Sequence, residues 1–349
     1  MAKKYFSGSN SGTGFYNHFE GIVPEWEKLT RYFMIKGGPG VGKSTLMKAV
    51  VKQAEEAGEE VECFYCSGDP DSLDGVRLVK RGIVLADATS PHAMDPNYPG
   101  AVEEIVSLGD YIIRDKIVLY RDEIEALCKA NKQSYGRAYA FLAAAAALAE
   151  ARYKEVEACV NKKALEEWAE IIEANHKRND IVQTDVRTER KERRLFLDAI
   201  SCKGCISYAE SFFDRGMLYR ITGEYKDVIT DLLCSRIRTE KKEVFCDPLC
   251  PHRRNHMWMA DGQTGVTCGD GVGGTLLDSE KLLYRTCHKT TARYGEEIIR
   301  MKEAAVDCLK ECKRIHDDLE NIYRDCVEFR KVSEHTEQLL SLIGSGKFA

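Results

Sequence analysis

Gly37 to Ser44 reads GGPGVGKS, which places two glycines, a lysine and a hydroxyl on the spacing G-x-x-x-x-G-K-S. Each residue type has a task at that spacing. A glycine-rich loop can turn its backbone N–H groups around a phosphate chain, and a side chain at the closest approach would block it. Gly42 is that closest approach, Lys43 reaches the β- and γ-phosphates, and the Ser44 hydroxyl is placed to bind Mg²⁺. Gly37, Gly38, Pro39, Gly40, Val41 and Gly42 supply the backbone of the cradle. Thr45 follows in a helix whose N-terminal dipole favours anions. The reading requires a buried strand before the loop and an amphipathic helix after it. Phe33, Met34 and Ile35 provide the first, and Leu46, Met47, Ala49 and Val50 the second. The stretch is therefore expected to bind a nucleoside triphosphate with Mg²⁺, and no N-K-x-D guanine-reading motif is present, which favours ATP.

Two carboxylates follow at strand ends, where α/β sheets place ligand groups. Asp87 closes the apolar run Ile83 to Ala86 and is the candidate to hold Mg²⁺ through water, although an aspartate there also suits a turn or a helix cap. Asp69, just past the strand Val61 to Cys66, could position an attacking water or accept a proton from a hydroxyl substrate. It also sits in an Asp-Pro turn that explains it without chemistry. His92 and Asp95, in TSPHAMDP, could contact substrate or sense the γ-phosphate. No arginine finger is identifiable.

The elements that must position these residues read as follows. Lys4 to Phe6 is a short strand, Phe15 to Ile22 a short helix, and Val61 to Cys66 and Ile83 to Ala86 are buried strands. From Pro99 to about Asn175 the periodicity is helical, with Ile105, Leu108, Ile112, Ile117, Tyr120, Ile124 and Leu127 on one face, and a second helix runs from Tyr139 to Ile172. This predicts a helical hairpin over about 100–180. Arg187 to Arg194, RTERKERR, reads as a solvated linker rather than a nucleic-acid arm, because glutamates interrupt it.

Self-similarity extends over most of the chain. Phe6 and Gly14 match Phe196 and Gly204 at an offset of 190; Ile35, Gly37 and Leu46 match Ile221, Gly223 and Leu232 at 186. Cys66 meets Cys246 at 180, while Gly82 and Asp87 meet Gly265 and Asp270 at 183. A tandem duplication is expected, in domains 1–190 and 191–349, with small parallel sheets. In the second copy GEYKDVIT, Gly223 to Thr230, stands where the first has GGPGVGKS, with Val228 at the close-approach glycine and Ile229 at the lysine. That copy is expected to be structural or regulatory. Near the C-terminus Ile298, Met301, Ala305, Cys308, Cys312, Ile315, Leu319, Ile322, Cys326 and Phe329 keep a three-four spacing. They predict a long helix packed as a coiled coil against the first half or another chain.

Composition bounds the rest. The 349 residues are 44% apolar and carry net charge −5, with 51 basic against 56 acidic residues, so no basic field points to nucleic acid or an anionic membrane. The lysines of MAKKYFSGSNSG precede no apolar core of a signal peptide, and Tyr139 to Ala149 is too short to span a bilayer. A cytoplasmic protein is expected, its fourteen cysteines reduced. Cys63 and Cys66 point to opposite faces of a strand and read as core. Cys202, Cys205, Cys246, Cys250, His252 and His256 have ligand types and spacings that could build a zinc site, although Cys246 aligns with Cys66, which lacks such partners.

SGSNSGTGFYNHFEGI, KGGPGVGKSTLMK, VECFYC with SGDPDSLDGV, ADATSPHAMDP and HDDLENIYRDCVEF together resemble a family of bacterial tandem P-loop ATPases or nucleotide-binding proteins of uncharacterised role. The resemblance runs over nearly the whole chain, most strongly around Lys43 and Asp87. In that family the second copy often keeps its own G-x-x-x-x-G-K-S loop, and here it does not. The expected fold class is α/β, two P-loop NTPase-like modules, the second degenerate, with long helical hairpin and coiled-coil segments. The expected function is an ATP hydrolase or ATP-driven switch acting through Lys43, Ser44, Asp87 and Asp69. A small-molecule or nucleoside kinase and a non-catalytic nucleotide sensor are alternatives, and the helices could engage a protein partner or a second copy.

Overall fold

Tyr32 to Ile35 are buried on both faces, as a strand must be when helices or a second layer cover its sheet. That strand is the centre of the first of two six-stranded sheets in the computed structural model, which describes residues 2–23, 28–90, 94–179, 192–260, 263–284 and 290–346. The first half runs β1 (Lys3–Phe6), a hairpin of β2 (Gly8–Ser11) and β3 (Gly14–Asn17), β4 (Arg31–Lys36), α1 (Lys43–Glu56), β5 (Val61–Tyr65), β6 (Leu73–Leu78), β7 (Ile83–Asp87) and β8 (Glu103–Ser107). Then come α2 (Arg114–Ile117), α3 (Arg121–Glu157) and α4 (Lys162–Asn179). The second half repeats the series as β9 (Glu192–Leu195), a hairpin of β10 (Asp198–Ser201) and β11 (Gly204–Ser207), α5 (Ala209–Phe212), β12 (Met217–Thr222), α6 (Lys226–Arg236), β13 (Lys242–Cys246), β14 (Arg254–Met259), β15 (Thr264–Thr267), β16 (Thr275–Asp278), α7 (Thr290–Asp325) and α8 (Phe329–Ser345).

The two sheets have one topology. The first is ordered β1-β5-β6-β7-β4-β8 and the second, read from its β9 edge, β9-β13-β14-β15-β12-β16. In each, the third strand is antiparallel to both neighbours and the other pairings are parallel. The sheets are thus mixed, not the parallel sheets expected. Register sets Phe6 against Phe196, Arg31 against Met217, Val61 against Lys242 and Ser107 against Asp278, so the offset falls from 190 through 186 and 181 to 171. It also corrects three expected matches: Cys246 corresponds to Tyr65, Gln263 to Gly82, and Cys268 to Asp87.

Equivalent residues meet at the centre. The Phe6 N–H donates to the Phe196 carbonyl at 2.9 Å and the Phe196 N–H to the Phe6 carbonyl at 3.0 Å. Asn10 Nδ2 donates to the carbonyl of Ile200, its own equivalent, at 2.8 Å. Reciprocal contacts between equivalent positions are those of a two-fold interface, here within one chain. The antiparallel bridges Ile112–Val327 and Leu283–Val160 are a second such pair.

The helices cross this axis. α3 and α7 lie antiparallel, Ser134 Oγ donating to the Cys308 carbonyl at 3.1 Å and Tyr294 Oη to Glu155 at 3.3 Å. Beyond them the short helices are exchanged. Val332, Leu339 and Ile343 of α8 join Phe33, Leu46 and Val50 in the first core, while Leu165, Ala169 and Ile172 of α4 join Ile221, Ile229 and Leu233 in the second. Each buried aliphatic side chain of this kind contributes about 2 kcal/mol, so neither sheet is covered by its own half of the chain alone.

Other expectations change in detail. Phe15 to Ile22 is β3 and a single 3-10 turn (Phe19–Gly21), because the segment closes a hairpin. Ile105 lies in β8 and Leu108 in a 3-10 turn (Leu108–Tyr111), so the long helix begins only at Arg121. α4 packs on α6 instead of folding back along α3 as a hairpin. The seam is packed against the first half: Ala305, Cys312, Ile315 and Leu319 are buried, and Ala305 sits with Ala138, Leu142 and Ala145 of α3. α7 stops at Asp325, so Cys326 falls in the joint before α8 and Phe329 is exposed. Arg187 to Lys191 of the expected linker lie outside the described residues. Among the described residues no helix is long and apolar enough to cross a membrane.

Candidate functional site

β4 delivers the chain to the loop at Lys36, and Asp87, at the end of the neighbouring β7, stands in register with Ile35. The loop turns through left-handed backbone at Gly40 (φ 69°) and Gly42 (φ 103°), a region that side chains disfavour. Val41 is fully buried in the first core and anchors the loop from inside, while Thr45 is exposed on α1. α1 starts at Lys43 after Gly42, which has no side chain to cap its first turn.

Lys43 Nζ donates to the carbonyls of Gly37 and Gly38, both at 2.8 Å, and lies 3.6 Å from Asp87 Oδ2. The other Asp87 oxygen accepts from the Thr89 N–H at 2.8 Å, and Thr89 Oγ1 donates to the Gly37 carbonyl at 3.2 Å. Ser44 Oγ accepts the Leu73 N–H at 3.0 Å, which leaves the hydroxyl proton and one lone pair for other partners. Lys43, Ser44 and Asp87 are thus brought to one end of the sheet, each held by backbone of a neighbouring segment.

The outside of the loop is covered by the far end of the chain. A Cβ at Gly38 would lie 2.8 Å from the Tyr323 ring, one at Gly40 2.7 Å from the Glu320 carbonyl, and one at Gly42 3.4 Å from Val332. Glycine at 38 and 40 is needed where α7 passes over the loop. Pro39 lies between them. The loop thus sets a lysine, a hydroxyl and the N-terminus of α1 side by side.

Asp69 serves its turn. Its carboxylate accepts from Ser72 Oγ at 3.0 Å and from the Asp71 N–H at 3.3 Å, and Lys313 Nζ of α7 lies 3.5 Å away. Burial opposes the Lys313 charge, but Asp317, one turn along, and then Asp69 raise its pKa above the ordinary lysine value. Asp71 pairs with Lys203 at the tip of the β10–β11 hairpin, and that hydrogen bond lowers the Asp71 carboxyl. Asp95 lies at the edge of the site, 3.5 Å from Lys36 Nζ, and His92 falls outside the described residues.

The residues that could have built a zinc site do not come together: among the described residues no group of three or more His, Cys, Asp or Glu could hold a metal ion. His256 is occupied between Thr267 Oγ1 at 2.6 Å and Asp198 at 2.9 Å, Cys246 Sγ lies 3.4 Å from His18, and His252 is exposed beside Glu150. Cys202 is buried and Cys205 exposed on the β10–β11 hairpin, and Cys250 is buried in the core beside α3.

The second copy holds residues that an ungapped match conceals. Its loop, 223–225, is shorter, so α6 begins at Lys226 as α1 begins at Lys43. Lys226 Nζ meets Asp270 at 2.6 Å. Arg152 of α3, itself nearly buried, donates to the Glu224 carbonyl at 2.6 Å and to Asp227 at 2.7 Å and so fills the loop's mouth. The signal in the sequence was a lysine opening each helix, displaced by three residues from the strand alignment. A small cavity lined by Val23, Lys28, Arg77 and Val84 lies at the opposite ends of the first-sheet strands, away from the loop.

Residues 21–103 are similar to the family model described as Nephrocystin 3, N-terminal. No curated protein and no solved structure matches the chain significantly. The matched stretch carries β4, the glycine-rich loop, α1, the turn with Asp69 and the strand that ends at Asp87, and none of the second half.

Proposed function

We propose that the first half binds ATP with Mg²⁺ and hydrolyses it, as a switch read out by the long helices. The observation that carries this reading is the placement of Lys43, Ser44 and Asp87 at one sheet end, around a left-handed glycine loop and an uncapped helix. In it Lys43 leaves the Gly37 and Gly38 carbonyls to neutralise phosphate. Ser44 and, through water, Asp87 would hold Mg²⁺, which supplies charge neutralisation at the transferring phosphoryl group. Asp69, both of whose oxygens are engaged, shapes the turn beside the site more directly than it orients an attacking water. The resemblance to tandem nucleotide-binding proteins agrees with this reading, and the substituted second loop makes it a one-site protein. The cover formed by α7 and α8 supports a switch, because a change at the loop meets Glu320, Tyr323 and Val332 directly.

The test is phosphate release with Mg²⁺-ATP, wild type beside Lys43→Ala, with ATP binding recorded on the same samples. Turnover lost in the variant supports the hydrolase. Binding without turnover moves the assignment to a kinase, which an acceptor screen would reveal, or to a sensor. A wild type that binds no ATP refutes the reading.

A further inference from the structure

The first site is bordered by cations that its own half does not supply. Lys313 comes from α7 and Lys203 from the β10–β11 tip, both in the second half of the chain. Lys203 bonds Asp71 of one short turn, and Lys313, which is hydrogen-bonded to Asp317 on its own helix, lies 3.5 Å from Asp69 of the same turn. Asp69 caps that turn by accepting from Asp71 N–H and Ser72 Oγ, and the Ser72 N–H donates to the Asp69 carbonyl at 2.8 Å. The next residue, Leu73, gives its N–H to Ser44 Oγ. A continuous path of short contacts therefore runs from Lys313 through Asp69 and Ser72 to the hydroxyl at the head of α1. A donor fixed on one lone pair sets the rotamer of that hydroxyl and leaves its other lone pair directed to a metal.

From these contacts we propose that Lys313, assisted by Lys203, is a positioning residue for Ser44, so that the second half completes the Mg²⁺-binding geometry of the first. This rests on the reading of the loop as a Mg²⁺-nucleotide site. The two lysines are unequal. Lys203 and Asp71 are exposed, and such pairs contribute little, whereas Lys313 and Asp69 are about one quarter and one fifth exposed and less screened. The arrangement is one-sided: at the offset that relates Val327 to Val160, Lys313 corresponds to Ala146 of α3, and the second loop receives no such lysine.

The experiment measures the affinity of the full chain for ATP in EDTA and in excess Mg²⁺, and takes the ratio. Loss of an outer partner of a metal ligand typically weakens metal binding about tenfold. Lys313→Ala is therefore expected to reduce the Mg²⁺ enhancement about tenfold while affinity in EDTA stays within about twofold. Lys313→Arg restores most of it, Lys203→Ala has a smaller effect, and Asp69→Asn, which keeps the size of the side chain and one acceptor, repeats the loss. An unchanged ratio in Lys313→Ala, an equal fall in both affinities, or a wild type without Mg²⁺ enhancement overturns the proposal while leaving nucleotide binding intact. A wild type that binds no ATP in either condition overturns the loop reading and this inference with it.

Discussion

Arg193→Ala tests the joint between the two halves. The Arg193 guanidinium, on β9, reaches across to Glu62 on β5 with two hydrogen bonds, of 2.9 and 2.7 Å. It also bonds Glu243 at 2.7 Å and the Gly21 carbonyl at 2.8 Å, and lies over the rings of Tyr5 and Phe64. Arg77 adds a contact to Glu62 at 3.2 Å. Burial alone would raise the Glu62 carboxyl, but Arg193, followed by Arg77, brings it from an ordinary 4.5 down to about 2. That difference corresponds to about 3 kcal/mol of stability. A carboxyl whose folded pKa is depressed contributes fully above about pH 4.5, and the contribution disappears as the pH falls toward about 2. Removing Arg193 leaves Glu62 buried with Arg77 and the Tyr5 hydroxyl but without its closest cation, and breaking a buried pair in this way costs about 3–5 kcal/mol. Burial then raises the Glu62 pKa in the variant, which takes up a proton on mild acidification. The gap between wild type and variant should therefore narrow by more than about 1 kcal/mol between pH 7 and pH 3.5. Urea unfolding followed by far-UV circular dichroism at both pH values measures the gap. A loss below about 1 kcal/mol at pH 7, or a gap that does not change with pH, would refute the reasoning.

Two predictions concern backbone conformation. Gly42→Ala forces a side chain into left-handed backbone (φ 103°) at the head of α1, at a cost of about 1–2 kcal/mol, with its methyl group about 3.4 Å from Val332. Because the proposed site needs that loop shape, ATP affinity, measured by titration calorimetry, should fall by about tenfold, the size of that strain. Gln263→Gly should do the opposite for stability. Among the described residues Gln263 is the one non-glycine with positive φ (45°), at the position that Gly82 holds in the first sheet, and releasing that strain should stabilise by up to about 1 kcal/mol. A variant with unchanged or lower denaturation midpoint would count against the register assignment.

Much of the first site could be read from the chain because its chemistry is contiguous: Gly37 to Ser44 is one loop, and Asp87 ends an uninterrupted apolar strand. The repeat was also legible, since Phe6 and Phe196, or Ile35 and Ile221, are core residues that both copies must keep. What failed was the spacing between anchors. Offsets of 180 and 183 matched residue types by coincidence, whereas hydrogen-bond register gives 181 from Val61 with Lys242 to Asp87 with Cys268. β6 and β8 were not anticipated, because DGVR and EEIV show no unbroken apolar run, and neither an antiparallel strand such as β6 nor an edge strand such as β8 needs one. The roles of Lys313 and Lys203 were hidden for another reason. Each lies more than a hundred residues from its partner, and nothing local distinguishes a lysine that reaches another domain from one that is merely solvated.

The exchange of α4 and α8 explains why a second copy without its own phosphate loop is retained. Its sheet could be lost only together with α8, whose Val332, Leu339 and Ile343 close the first core, and with Arg193, which neutralises Glu62. The same dependence acts in reverse through α4 and Arg152, which seals the second loop by bonding Glu224 and Asp227. A sealed loop holds its half in one arrangement, while the first loop, with Lys43 parked on its own carbonyls, can exchange those contacts for another partner. In the proposed switch, movement at the first loop would pass into α7, which lies over it at Glu320 and Tyr323, and from α7 into α3, which packs along it. On that proposal one half serves as the frame and the other as the responder, an asymmetry that two identical subunits could not have without breaking their symmetry.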